Sequence, residues 1–111
     1  FQITAASSSL WTPFKNSGNA NYPLLHKLLS IPEIRQRYLA HYRTILQETF
    51  TEVNVNAVVD ELNTLIASHV ATDTKKLYST SQYTSGVPAL KTFVATRRAF
   101  LLNNPEIAQI A

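Results

Sequence analysis

Cysteine is absent from this chain of 111 residues, so there is no disulfide framework, no thiolate nucleophile and no cysteine-based zinc site. The compartment stays open on that ground, since a cysteine-free chain suits either cytosol or exterior. Only two glycines occur. A glycine-rich phosphate cradle therefore cannot be built, and no Gly-x-Ser-x-Gly turn presents a serine nucleophile. No apolar run approaches the roughly 20 residues a bilayer helix requires, which excludes a membrane-spanning helix. Nor is a signal peptide legible: the chain opens on Phe1 rather than Met, and no basic stretch precedes an apolar one. Such a start is expected of a processed chain, a trimmed one or a piece of something longer.

What is present describes one modest globular domain. A mass of 12.4 kDa predicts a folded surface of roughly 6,100 Å², burying about two-thirds of the extended chain. The hydrophobic fraction of 45% and charged fraction of 15% argue against wholesale disorder. Net charge is +3, mildly basic. A nucleic-acid module gathers such charge into a patch, whereas Lys15, Lys27, Arg35, Arg37, Arg43, Lys75, Lys76, Lys91, Arg97 and Arg98 are spread along the chain. No nucleic-acid partner is expected.

Residues 1–21 read as an irregular arm, with Ser7-Ser8-Ser9, Pro13, Gly18 and three asparagines but no helical period. Residues 22–111 read as a helical domain. Pro23, with Asn21 as cap, opens a short helix carrying Leu24, Leu25, Leu28 and Leu29 and ending near Ser30. Ser30 and Glu33 have capping-box spacing around Pro32, and predict a second helix from Pro32 to Phe50. Its buried stripe is Ile34, Tyr38, Tyr42, Ile45 and Thr49, widened by Leu39, Leu46 and Phe50, with Glu33 and Arg37 as a favourable i, i+4 pair. Val55, Val58, Val59, Leu62, Leu65, Ile66 and His69 predict a third helix whose valine-rich start needs tertiary burial. Ala67-Ser68 either breaks it, with Ser68 capping a shorter helix to Tyr78, or lies within one bent helix. Ser79 to Gly86 reads as a polar loop, and the last long helix is expected from Val87-Pro88 to Leu102, stopped by Asn103-Asn104-Pro105. The fold class is all-α, about five helices in an orthogonal or bundle-like arrangement with the arm beside them.

Little of this carries chemistry. Glu33, Glu48, Asp60, Glu61 and Glu106 each fit a first-turn charge, a solvated face or an ion-pair partner. His69 and Asp73, four apart, would make half a metal site, but no third ligand has matching spacing. His26 and His41 fall on different helices and read as ordinary helix residues. A Ser-His-Asp arrangement assembled in space is not settled by counting. Arg97-Arg98 lies between Phe93-Val94 and Phe100-Leu101-Leu102. It reads either as snorkelling or carboxylate-paired arginines, or as a contact to a phosphate or to the acidic surface of a neighbouring domain. Lys75-Lys76 reads as a solvated helix face. Trp11 and Phe14 in the arm are candidate interface aromatics.

Three stretches in order carry a family likeness. Pro23-Leu24-Leu25-His26-Lys27-Leu28-Leu29-Ser30-Ile31-Pro32-Glu33-Ile34-Arg35-Gln36-Arg37-Tyr38, then Asp73-Thr74-Lys75-Lys76-Leu77-Tyr78, then Leu90 to Leu102 with its double arginine and Phe-Leu ending, resemble the C-terminal helical part of the CotH (spore-coat protein H) kinase family. That family comprises secreted or surface-associated atypical protein kinases that use ATP and a divalent metal. Its nucleotide- and metal-binding residues lie mostly N-terminal to the part matched. The resemblance implies a non-catalytic subdomain with no catalytic, cofactor or metal residue of its own. Its expected partners are the catalytic lobe of the parent chain and a protein substrate, and its expected location is extracellular or at the cell surface. The missing lobe would cover Trp11 and Phe14. A free-standing helical module that takes a partner peptide in a groove is the rival reading. A small DNA-reading helix-turn-helix is a third, weakened because Pro32 to Phe50 spends its tyrosines and leucines on a core stripe.

Overall fold

The computed structural model describes residues 8–109, and among them there are five α-helices, one π-helical turn and no strand. The all-α expectation holds. The helices are α1 (Pro23–Leu28), α2 (Pro32–Thr44, running on into a π turn over Ile45–Thr49), α3 (Glu52–Thr72), α4 (Thr80–Leu102) and α5 (Pro105–Ala108). Residues 8–21 of the arm are turns without helix, as expected, with Asn16 in the left-handed region at φ 66°. The first seven residues of the expected arm lie outside the described part.

Helix starts follow local chemistry, not always the one the sequence suggested. Pro23 and Pro32 occupy the first turns of α1 and α2, where a missing N–H costs nothing. Tyr22 and Ile31 hold the cap positions and neither side chain caps. Asn21 is therefore not the cap, and the Ser30–Glu33 box does not form: the Ser30 hydroxyl donates back to the Lys27 carbonyl at 2.7 Å. The Glu33–Arg37 pair is also unmade; Arg35–Glu106 and Lys91–Asp60 are the side-chain ion pairs among the described residues. Thr51 caps α3 by accepting from the Asn54 N–H at 3.1 Å. Asn54 in turn donates its side-chain amide to the Glu48 carbonyl at 2.9 Å, which ties the π turn to α3.

The larger correction is at the α3–α4 connection. α3 is continuous through Ala67-Ser68 and stops at Thr72, so no separate helix reaches Tyr78 and Lys75-Lys76 sits in a loop rather than on a helix face. The polar run after Ser79 is helix, not loop. Ser79 accepts from the Gln82 N–H at 3.2 Å while Gln82 accepts from the Ser79 N–H at 2.8 Å, a complete capping box. Pro88, the expected helix start, lies inside α4. The stop after Leu102 stands, but Asn103 stays right-handed, and Asn104 ends the chain's turn by capping α5 through the Glu106 and Ile107 N–H groups.

Leu39, Leu46, Leu101 and Ile107 form the core cluster, with Phe14, Tyr38, Tyr42, Phe50, Phe100 and Leu102 packed around it. It joins α2, the π turn, the end of α4 and α5. Beyond it α3 and α4 run antiparallel, pinned by Tyr83 donating to Asn63 at 2.6 Å and by Lys91 donating to Asp60. The molecule is long and flat, 53 × 32 × 17 Å, with a radius of gyration of 17.8 Å against about 13 Å for a compact chain of this length. Its accessible surface of 8204 Å² likewise exceeds the roughly 6,100 Å² expected at this mass.

Candidate interaction surface

Arg35 is the busiest side chain. Its guanidinium forks onto Glu106 with two 2.8 Å bonds, lies 4.0 Å over the Phe14 ring and reaches the Leu29 carbonyl at 3.5 Å. One planar cation thus joins the arm, the end of α1, α2 and α5. The bond from Arg35 holds the Glu106 carboxyl below the usual carboxylate range. Sequence reading missed this pair because its partners are 71 positions apart. Tyr38 packs nearby against Phe14 and Tyr42 and donates to the Pro13 carbonyl; burial, reinforced by Tyr42, raises its phenol above the ordinary tyrosine range.

The two candidate arginines separate. Arg98 donates to the carbonyls of Phe50 and Leu46, both at 3.1 Å, at the C-terminal end of the π turn, where helical carbonyls lack partners. Arg97 turns to the arm and donates to the Ser9 carbonyl at 3.3 Å and to the Trp11 carbonyl. Phe14 is half-buried under Arg35, whereas Trp11 stays exposed beside Lys15. His26 donates through Nδ1 to the Ser17 carbonyl at 2.9 Å. His41 is exposed at the rim of an apolar cleft of about 220 Å³ formed with Tyr38, Tyr42, Ile45, Leu46, Phe50 and Leu101. Asp73 ends α3 and accepts from the Lys75 N–H, so it does not share a helix face with His69. No three His, Asp or Glu side chains converge on a metal position among the described residues.

Apolar surface without cover is the dominant feature. The half-buried residues of α3 are Val55, Asn56, Val59, Asn63, Ala67 and Val70, and on this side Asn63 meets Tyr83 of α4. Val58, Leu62, Leu65 and Ile66, expected in the same stripe, fall on the neighbouring side and are 54%, 51%, 67% and 41% exposed. None of the α3 residues is fully buried: its first turns have only the half-burial of Val55 and Val59, together with the Thr51 cap. A cleft of about 350 Å³ lined by Glu48, Thr49, Asn54, Val55 and Val58 continues the strip onto the π turn.

Charge follows the same division. The basic residues leave one gap: from Thr44 to Thr74 the sequence has no Lys or Arg, but it holds five of the seven acidic residues, Glu48, Glu52, Asp60, Glu61 and Asp73. Counting signs along the chain, rather than its total, reveals this.

A family profile described as CotH kinase protein matches residues 7–101. Searches of curated proteins and of solved structures each give no significant match. With the match covering most of its length, the chain belongs to the CotH kinase protein family.

Proposed function

We propose that this chain is the non-catalytic C-terminal helical subdomain of a CotH-like atypical protein kinase, and that it supports a catalytic lobe lying outside it. The carrying observation is the second apolar stripe of α3, Val58, Leu62, Leu65 and Ile66, which nothing among the described residues covers. Contiguous apolar surface of this kind marks an interaction site. In this reading ATP and the divalent metal bind in the lobe, a protein substrate docks there, and the parent acts outside the cell or at its surface. Arg97 and Arg98 then serve the subdomain's own framework, because their donors already reach backbone carbonyls.

Thermal melting of the purified chain with and without Mg-ATP, beside the separately produced preceding lobe of the parent gene, tests this. A nucleotide at one hundred times its dissociation constant adds about 2.7 kcal/mol, several degrees for a domain this size. The expected result is a cooperative melt with no Mg-ATP shift, no phosphate transfer, and association with the lobe. Metal-dependent transfer by the chain alone, or failure to associate with the lobe, overturns the reading.

A further inference from the structure

We infer that the exposed stripe of α3 is a docking strip for a positively charged amphipathic segment, with apolar anchors seated on Val58, Leu62, Leu65 and Ile66 and Lys or Arg side chains against Glu48 and Glu61. If the occupant belongs to the catalytic lobe, this rests on the function proposed above; the chemistry of the occupant is argued from the surface itself.

The surface is apolar and acidic together. Glu61 is the helical neighbour of Val58, three residues back, and of Leu65, four residues on. Glu48 lines the cleft that Val55 and Val58 share. Neither carboxylate makes an ion pair among the described residues, whereas Asp60 is taken by Lys91 and Asp73 by the Lys75 N–H. No Lys or Arg lies between Thr44 and Thr74 in sequence, and of the cations that α4 brings near, Lys91 is paired with Asp60 and Arg98 is engaged by the Leu46 and Phe50 carbonyls. Glu52, at the start of α3, adds to the same field.

From Val58 to Ile66 the strip runs about 12 Å along the helix, two turns, the reach of an i, i+3, i+4, i+7 set on a partner helix. A second copy seated face to face on its own α3 would set these carboxylates against their equivalents, and like charges across an interface cost affinity. A basic rim meets both demands, covering the apolar side chains and neutralising Glu48 and Glu61.

The test uses the isotope-labelled chain and two probe peptides of about four helical turns, one of leucine and lysine, the other its leucine–glutamate counterpart. Amide shifts are mapped for each, alongside dilution of the chain by itself. The leucine–lysine peptide is expected to move residues 48–66. Its affinity should fall at least about tenfold from low to high salt, and by roughly tenfold in Glu48→Lys/Glu61→Lys, whose melt is unchanged. The leucine–glutamate peptide is expected not to bind. Equal binding of both peptides, or shifts that map elsewhere, overturns the inference. Dilution shifts that move residues 48–66 together with the exposed Leu24, Leu28, Ile31 and Ile34 also overturn it, by making a second copy the occupant. None of these results bears on the Mg-ATP melt, and failure with the peptides leaves the proposed function standing, whereas a second copy seated on the stripe removes the observation that carries it.

Discussion

Arg98 shows how one side chain can replace a capping motif. The π turn ends at Thr49 with Phe50 as its C-cap residue, and the last carbonyls of a helix have no intrahelical partner. A guanidinium offers donors in a fixed fork, so Nε and Nη2 reach the Phe50 and Leu46 carbonyls at once, and its charge suits the negative end of the helix. Arg98→Ala is expected to cost about 1.5–3 kcal/mol, because charged hydrogen bonds are lost and two carbonyls are left poorly served. Melting should drop by roughly ten degrees. Arg98→Lys should recover only part of this, since an ammonium is a point donor and cannot span both acceptors. A melt unchanged in Arg98→Ala would show that water serves those carbonyls equally well. Arg97 differs: its acceptors lie in the arm, so its removal loosens residues 8–14 rather than the core.

At the scale of elements, what the sequence made legible depends on whether the deciding group was local. Pro32 marks the start of α2 because its ring acts within one turn, whereas α3 begins at Glu52, ahead of Val55 where the apolar period starts, because the Thr51 hydroxyl caps it. The start of α4 was misread since Ser79 to Gly86 has the composition of a loop, while the Ser79–Gln82 box outweighs composition. The π turn is invisible in sequence, because no residue type marks a single widened turn. Ile34 and Ile45, both placed in the core by the α-helical spacing, are 36% and 53% exposed, and the buried side of α2 and the π turn is the one carrying Tyr38, Leu39, Tyr42 and Leu46. In α3 the broad apolar stripe has two sides, and period alone does not say which meets α4. The choice went to polar Asn63 and small Ala67, which accept the Tyr83 hydroxyl and permit close approach. Pro88 tests the same scale. It withholds one hydrogen bond in the middle of α4, and proline in a helix interior costs about 3 kcal/mol relative to alanine. Pro88→Ala is expected to raise the melting temperature; a fall would mean that a bend at Pro88 is needed for α4 to follow α3.

For the molecule as a whole, stability and surface are carried by different residues of the same type. Leu46 is 1% exposed at the junction of the π turn and the core, and Leu65 is 67% exposed on α3. Leu46→Ala is expected to cost about 2–5 kcal/mol, the transfer of its methyl groups plus the cavity left behind. Leu65→Ala should stay within about 0.5 kcal/mol in the chain alone, since nothing it touches is removed from water. Chemical denaturation of both variants measures the contrast. A Leu65→Ala loss comparable to that of Leu46→Ala would place Leu65 in a core that the chain completes by itself, and would remove the need for any cover on α3. The expected asymmetry instead assigns Leu65 to binding, so its truncation should lower affinity for the segment that seats on α3 while the melt of the free chain stays where it was.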